Sequence, residues 1–198
     1  MGKALSSIPL SAQVSGRDSL PLTCARAYGY ARKALPISGD VYKQIGRSAA
    51  GAVSIVAAYD RTSDRIVGLT ASSFVTLSFD PPLVMFAIQH STGSYVSMVS
   101  SKSFGVSLLR DTQADVATLF ATTGPEKTGK TQFEPGTTLH VPLIPGALAH
   151  VECLTNQIFI SGDHAIVVGL VEEARTFDGL PLLYFARQYG TFCPLEGS

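Results

Sequence analysis

The stretch GLTASSFVTLSFDPPLVMFAIQ, residues 68–89, decides the fold. It contains a small-hydroxyl cluster, a β-rich segment at residues 74–79, a turn and a second apolar strand at residues 83–88. Proline has no N–H group and a fixed φ, so Pro81 and Pro82 end the strand ladder. Asp80 precedes them and is pushed into an extended conformation. The pattern therefore predicts two strands that meet at a rigid corner, with free backbone N–H groups available to bind a ligand.

The hydroxyl cluster, TASS at residues 70–73, stands where a strand would favour Val or Ile. Short hydroxyl side chains supply hydrogen-bond donors and let another group approach the backbone closely. Two interpretations follow from these residues alone. The small side chains either let two sheets or subunits pack together, or they form a site for a polar or phosphorylated small molecule.

Composition narrows the class of protein. The formal net charge is zero, so no basic excess is present to hold a nucleic acid backbone. The cysteines are odd in number and far apart, at Cys24, Cys153 and Cys193, and no CxxC is present. This spacing predicts neither a disulfide framework nor a metal site, and it is typical of a reducing cytoplasm. No apolar run has the length of a membrane span, so we expect a cytoplasmic protein without a membrane partner.

The first 39 residues differ in composition from the rest. They contain five basic residues against one acidic residue, Asp18. We expect residues 1–39 to form an N-terminal extension that packs as an arm on its own domain or on a partner subunit. Residues 40–198 have the length and apolar content of one domain.

Apolar periodicity predicts three short helices and many strands. The helices are expected at residues 41–50, 94–101 and 112–121, and a turn at Thr155-Asn156 is expected to divide two strands at 147–154 and 157–160. The other strands are expected at residues 52–59, from 66 onward, and at 104–109, 164–173 and 182–185. Many strands joined by short turns, with few helices, indicate a mainly β barrel with peripheral short helices. In the polar loop at residues 122–141, Phe133 is either a lid over a pocket or an anchor for the loop.

One literal motif does not fit this architecture. GPEKTGKT, residues 124–131, matches the phosphate-binding P-loop pattern. A P-loop works only between a buried strand and a helix, yet the preceding segment is predicted to be helical and Pro135 follows too soon for a helix. We therefore expect no nucleotide hydrolysis. The chain also lacks GxGxxG, HExxH and GxSxG, so neither a Rossmann site nor a common hydrolase site is expected.

Two further features have alternative interpretations. Ser91 to Ser94 would place hydroxyl and N–H groups at a helix N-terminus, which either caps the helix or attracts an anion such as phosphate. His164 follows Gly162-Asp163 and opens a strand. It is either a buried histidine bonded to a backbone carbonyl or a group that faces a ligand.

Five segments in one order carry a resemblance to a known family. TASSF, DPPLV, PLIPGALAHVEC, GDHAIVVGLV and PLLYFARQYG together resemble the flavin reductase family over residues 41–192. The resemblance implies a dimeric, Greek-key, FMN-binding split β-barrel. It also implies hydride transfer from NADH or NADPH to FMN or FAD. The cofactors supply this chemistry, and the protein has to stack their two rings at a short distance. The choice between FMN and FAD stays open, because the AMP half would lie in a surface groove without a fixed motif.

The resemblance also implies roles for particular residues. His164 would place the nicotinamide nucleotide beside the flavin and is the one residue assigned to catalysis. Ser94 and Lys102 would lie near the flavin phosphate. Arg187 and Tyr189 would lie near the flavin or the dinucleotide, although Ala186 stands where the family often has Arg. The remaining cofactor-binding residues would hold the ring edge and ribityl chain: Thr70, Ala71, Ser72, Ser73, Ser78, Asp80, Pro81 and Pro82.

Three functions of different classes remain in competition. The first is a homodimeric NAD(P)H:flavin oxidoreductase that supplies reduced flavin to a separate monooxygenase. The second is a flavin-binding electron carrier on the same barrel without a nicotinamide site. The third is a split-barrel interaction protein that has lost flavin, against which the intact TASSF and DPP segments argue.

Overall fold

The structure is a computed structural model that describes residues 37–63, 65–122 and 124–195. The described residues from Tyr42 onward belong to one compact unit. The predicted N-terminal arm lies almost entirely outside the described residues and stays a prediction. Within the described part of the chain, no helix combines the length and the apolar character needed to cross a bilayer.

Twelve strands dominate the part of the chain that the structure describes, and their pairings there are all antiparallel. They are β1 Gly51–Ala52, β2 Ser54–Tyr59, β3 Ile66–Ala71, β4 Val75–Ser78, β5 Leu83–Gln89, β6 Ser103–Leu108, β7 Glu134–Pro135, β8 Pro142–Leu143, β9 Ala149–Ser161, β10 His164–Thr176, β11 Leu182–Phe185 and β12 Gln188–Thr191. Seven of them form the main sheet in the order β3-β2-β6-β9-β10-β5-β4. Separate sheets join β1 with β11 and β12, and β7 with β8.

Among residues 37–195, apart from the two undescribed positions, helices are short and few, as predicted. They are α1 Gly39–Ser48, α2 Tyr95–Ser100 and α3 Ala114–Ala121, with 3-10 helices at Asp111–Gln113 and Pro125–Lys130. Each predicted helix is found within a few residues of its expected bounds. The apolar residues of α1 are nevertheless exposed: Val41 is 47% and Ile45 59% accessible.

The core lies on both faces of β2. Val56 and Ala58 pack into one cluster with Phe86 and Phe104. Ile55 and Ala57 point the other way, into a second cluster with Phe120 of α3. Successive strand residues face opposite sides, so an unbroken apolar strand such as SIVAAY is buried on both faces.

The predicted turn at Thr155-Asn156 is wrong. Strand β9 runs through it for 13 residues and pairs with β10 along its length. Val168 faces Gln157 while Gly169 faces Thr155, so Asn156 is the extra residue of a β-bulge. A bulge kinks a strand without ending it, which is why polar turn residues occur there.

The sequence did not predict the hairpin formed by β11 and β12. Strand β12 pairs with β11 through the two-residue turn Ala186-Arg187. Both turn residues have positive φ, 49° and 68°, which a two-residue hairpin favours. Neither is Gly or Asn, the residue types that identify such turns in a sequence. The predicted corner at Asp80-Pro81-Pro82 is confirmed: β4 ends at Ser78 and β5 begins at Leu83.

Candidate functional site

A surface groove with a cavity volume of about 1030 Å³ lies beside strand β3. Its lining includes residues 66–70 of β3 and the turn before that strand, together with Gln89 at the end of β5 and Ser91–Ser94 beyond it. The end of α3 also lines it, as do Gly124 and, from the 3-10 helix that follows, Lys127, Thr128 and Gly129. Strand β3 is an edge strand of the main sheet, with β2 on one side only. An edge leaves backbone N–H and C=O groups available to a ligand.

Helix α3 is held close to this strand by two contacts. The Thr70 hydroxyl donates to the Ala117 carbonyl over 2.7 Å. Gly68 faces Phe120 so closely that an added Cβ would lie 3.1 Å from its Cε1 atom. Thr70, one of the predicted site residues, lines the groove, but its side chain is committed to positioning α3.

A hydroxyl-rich segment, Ser91 to Ser94, forms another part of the lining. Ser94 is 6% exposed, and its Oγ atom is buried without a hydrogen-bond partner in the described structure. A buried polar atom without a partner costs free energy, so a ligand that bonds to it is favoured. This observation agrees with the prediction that Ser94 contacts a phosphate-bearing ligand.

Two cations line the groove. The Lys127 ammonium donates to the Phe120 carbonyl over 3.4 Å and the Thr122 carbonyl over 3.2 Å. It also lies 5.8 Å from the centroid of the Phe120 ring. Burial lowers the pKa of Lys127 below its usual value. Arg65 is exposed at the start of β3.

The turn between β2 and β3 is organised by Asp60. Its carboxylate accepts hydrogen bonds from the amides of Thr62 and Ser63, over 2.8 and 3.0 Å, and from the Ser97 hydroxyl of α2. The Ser97 bond is the largest of several that lower the pKa of Asp60. This network fixes the turn that presents Ser63 and Arg65 to the groove.

His164 opens β10 and is partly exposed, with 43% of its side chain accessible. Its Nδ1–H donates to Asp163 Oδ1 over 2.8 Å, and this bond lowers the pKa of Asp163. The bond leaves Nε2 as the ring nitrogen that can meet a ligand. In the sheet His164 pairs with Gln89, which lines the groove. The histidine therefore lies one strand from the groove and is not the buried structural histidine of the alternative interpretation.

The hydroxyl cluster joins β3 to β5. The Ser73 hydroxyl accepts from the Ala87 amide over 2.9 Å and donates to the Ala87 carbonyl over 3.3 Å. The Ala71 carbonyl accepts a bond from the buried Ser54 hydroxyl. Ser72 is exposed, and its carbonyl lies 3.1 Å from the position of an added Cβ on Gly51. The side chains of Thr70 and Ser73 thus have a structural role, while Ser72 is exposed to solvent.

The other predicted site residues do not line the groove. Ser78, Asp80, Pro81 and Pro82 belong to the β4–β5 hairpin, and Lys102 is exposed before β6. Arg187 lines a second, smaller groove of about 250 Å³ with Lys43 and Arg47. The ring centroid of Tyr189 lies 5.3 Å from that of Tyr184. The ring centroid of Phe133 lies 5.9 Å from that of Phe120, a contact that favours the interpretation of Phe133 as an anchor of its loop.

Sequence reasoning missed Gln89, Arg65 and Lys127 as groove residues. Lys127 lies in the GPEKTGKT segment, whose P-loop interpretation was rejected for lack of a strand and helix. That rejection is confirmed, because α3 precedes the segment and a 3-10 helix occupies it. Among the described residues, no cluster of His, Cys, Asp or Glu has the arrangement of a metal site.

A large antiparallel sheet beside a groove lined by hydroxyls and cations defines a mainly β protein whose groove suits a phosphate-bearing ligand. Residues 46–192 match the family described as flavin reductase like domain, and the chain belongs to that family. The fold of a large antiparallel sheet with a few short helices agrees with solved flavin reductases.

Three known proteins illustrate the similarity. The reductase component of 4-hydroxyphenylacetate 3-monooxygenase from Thermus thermophilus is 36% identical over 151 residues, covering 76% of this chain and 94% of that protein. An NADH:riboflavin 5'-phosphate oxidoreductase from Streptomyces pristinaespiralis is 35% identical over 147 residues, covering 73% and 83%. The crystal structure of BorF, the flavin reductase component of a bacterial two-component tryptophan halogenase, covers 80% of this chain and 100% of that chain with a TM-score of 0.71 and 29% identity.

Proposed function

We propose that this protein is an NAD(P)H:flavin oxidoreductase that transfers a hydride from NADH or NADPH to FMN or FAD. The observation that carries the proposal is the family match over residues 46–192, which spans the groove, the hydroxyl cluster and His164. Bound flavin and nicotinamide supply the redox chemistry themselves. The protein has to bind them, orient them and limit the access of water.

The groove suits a phosphate-bearing ligand. The Ser94 Oγ atom lacks a partner, and Arg65 and Lys127 supply positive charge. No acidic side chain is present among the described residues of the lining. Hydride transfer requires no strong general base, which agrees with the absence of an acid–base pair from the described lining. Ser72, Ser78 and Asp80 remain proposed contacts to the ring edge and ribityl chain.

His164 is the residue we assign to the nicotinamide nucleotide. Its Nδ1–H bond to Asp163 holds the ring so that Nε2 is available to the ligand. Its register with Gln89 brings it next to the groove. We assign it to placing the nicotinamide ring, not to proton transfer.

A homodimeric split barrel is the proposed assembly. The second half of β9, residues 156–161, is exposed although it lies inside the sheet order. Phe159 is 52% and Phe79 96% exposed. Apolar patches of this kind mark protein–protein contacts, and a second copy is the partner proposed here.

The reduced flavin is proposed to serve a separate monooxygenase, because relatives such as the Thermus thermophilus protein are reductase components of monooxygenases. A cytoplasmic location is proposed because Cys153 and Cys193 are both free. Burial and the nearby Glu152 charge raise the pKa of the Cys153 thiol to about 12, so this thiol is unreactive.

The deciding experiment measures oxidation of NADH and NADPH by purified protein without oxygen, with FMN or FAD in excess. We expect the added flavin to bleach, and the fastest pair identifies both substrates. Stoichiometric flavin binding without bleaching would instead support the electron carrier without a nicotinamide site.

Replacing His164 by Ala tests its role. We expect kcat/KM for the nicotinamide nucleotide to fall about tenfold, because the ring is no longer oriented, while flavin affinity changes little. A variant Asp163→Asn should show a smaller loss. Unchanged turnover in His164→Ala would show that the histidine has no part in placing the nucleotide.

A further inference from the structure

A buried histidine, His150 of β9, has one ring nitrogen with a partner and one without. The residue is 3% exposed, and its Nε2 atom lies 2.7 Å from the Ile144 carbonyl oxygen. A carbonyl oxygen only accepts hydrogen bonds, so the proton of the neutral ring is on Nε2. The Nδ1 atom is then an acceptor, and it is buried without a hydrogen-bond partner among the described residues.

The group that faces Nδ1 is the carboxylate of Glu134 in β7. Its Oε1 atom lies 3.5 Å from Nδ1, and the Glu134 side chain is 46% exposed. An ionised carboxylate also only accepts hydrogen bonds, so neither atom can donate to the other while the ring is neutral. One added proton on Nδ1 converts this contact between two acceptors into a charge-assisted hydrogen bond, which is about twice as strong as a neutral one.

The other groups around the His150 ring leave this proton to the β7 carboxylate. Phe177, after β10, packs edge-on against it with the ring centroids 5.3 Å apart. Arg175 of β10 is in register with His150 but is exposed, so solvent screens its charge. The residue of β6 in register is the uncharged Ser107. Glu152, two residues along β9, already accepts hydrogen bonds from three loop amides.

The contact between His150 and Glu134 connects the sheet to the β7–β8 hairpin, residues 134–143. The residue before this hairpin, Phe133, packs on Phe120 with the ring centroids 5.9 Å apart. Phe120 in turn lines the large groove. A bond that holds Glu134 therefore also holds Phe133 against a wall of the groove.

We propose that His150 and Glu134 form a proton-dependent contact that fixes the β7–β8 hairpin when Nδ1 is protonated and releases it when Nδ1 is not. Histidine is the side chain that ordinarily changes charge between about pH 5 and 8. A bond that needs the protonated ring is present at the acid end of this range and is lost as pH rises through it. His150 is thus a positioning residue for the hairpin and the groove wall.

Amide hydrogen exchange of residues 131–141, measured by mass spectrometry between about pH 5.5 and 8.5, tests the proposal. Protection factors are compared, because they correct for the intrinsic rise of the exchange rate with pH. Glu134 is exposed, so its replacement leaves the buried histidine in place. In Glu134→Gln the amide can donate to neutral Nδ1, and in Glu134→Ala the contact is lost. The exposed Glu172→Gln, in β10, is the matched control.

We expect the protection factors of the wild type and of Glu172→Gln to fall about tenfold from the lower to the higher pH, the loss of roughly one charged hydrogen bond. Glu134→Gln should stay protected throughout, because its contact needs no added proton. Glu134→Ala should be weakly protected throughout. An equal pH dependence in the wild type and both Glu134 variants would overturn the proposal.

A second histidine in the hairpin provides a check on which ring titrates. The Nδ1 atom of His140 lies 3.0 Å from the Gly136 carbonyl oxygen, and His140 has a positive φ of 54°. Asn tolerates this conformation, so His140→Asn is the suitable variant. We expect His140→Asn to keep the pH dependence of the wild type. Its loss in this variant would assign the titration to His140 and overturn the proposal.

The effect on the groove is measured separately and rests on the proposed function. We expect the Kd of FMN or FAD, from flavin fluorescence, to rise about threefold more between low and high pH in the wild type than in Glu134→Gln. An equal change in both proteins would overturn the link between the hairpin and the groove. Failure to bind either flavin contradicts the proposed function, while hydrogen exchange still tests the contact because it needs no ligand.

Discussion

At the scale of single residues, Glu152 is the most constrained charge in the described structure. It is 1% exposed and lies in β9. Its carboxylate accepts bonds from the amides of Thr137, Thr138 and Leu139, the closest two over 2.6 Å. Burial alone would raise the pKa of Glu152, but these bonds outweigh it, so the pKa is lowered from its ordinary value of 4.5. The residue anchors the loop between β7 and β8.

Replacing Glu152 by Gln should lower the free energy of unfolding by about 2 kcal/mol at pH 7, because an amide cannot accept all these bonds. The folded pKa is depressed, so the stabilisation is complete above pH 4.5 and is lost as pH falls through the folded pKa. The difference between wild type and variant should therefore shrink below pH 4.5. Urea unfolding at several pH values measures it, and the exposed Glu172→Gln variant serves as control. Equal differences at every pH would contradict this account.

At the scale of elements, the pairing of β9 with β10 depends on Gly169. An added Cβ there would lie 2.5 Å from Phe104 Cζ and 2.9 Å from Cys153 Cβ. Gly169 also sits beside the bulge at Asn156. Glycine at this point lets the Phe104 ring reach the sheet, where it packs 5.3 Å from the Phe86 ring.

Gly169→Ala should destabilise the protein by about 1–3 kcal/mol, because the methyl group overpacks a filled core. Gly190→Ala in β12, whose Cβ would meet no atom within 4 Å, is the matched control and should have little effect. Thermal unfolding of both variants measures the difference. The double variant Gly169→Ala with Phe104→Leu should recover part of the loss, and its failure to do so would place the cause elsewhere.

At the scale of the whole molecule, the exposed apolar residues predict association between two copies. Phe159→Lys puts a charge on the exposed part of β9, so we expect the proposed dimer to become a monomer in sedimentation equilibrium. Val96→Lys, on α2 and 73% exposed, is the control and should remain dimeric. A monomeric wild-type protein would contradict the proposed assembly without affecting the fold of one chain.

The sequence by itself determined the three helices, most of the long strands, the β4–β5 corner and the resemblance to the family. Apolar runs and prolines act through local geometry, so they identify a strand or a turn whatever the tertiary structure around it. The family resemblance assigns Ser94 to the flavin phosphate, which stays a prediction, and the structure places Ser94 in the lining of the groove.

Only the tertiary structure decided which residues meet. Arg65, Gln89 and Lys127 lie far apart in the chain and share a groove because the start of β3, the end of β5 and the 3-10 helix after α3 all line it. The bulge at Asn156 arises because pairing of β9 with β10 outweighs the turn preference of the local residues. The hairpin at Ala186-Arg187 arises because β11 pairs with β12, although neither turn residue is of a type that identifies a turn. Long-range pairing has no local signature, so contacts of this kind follow from the fold and not from the order of residues.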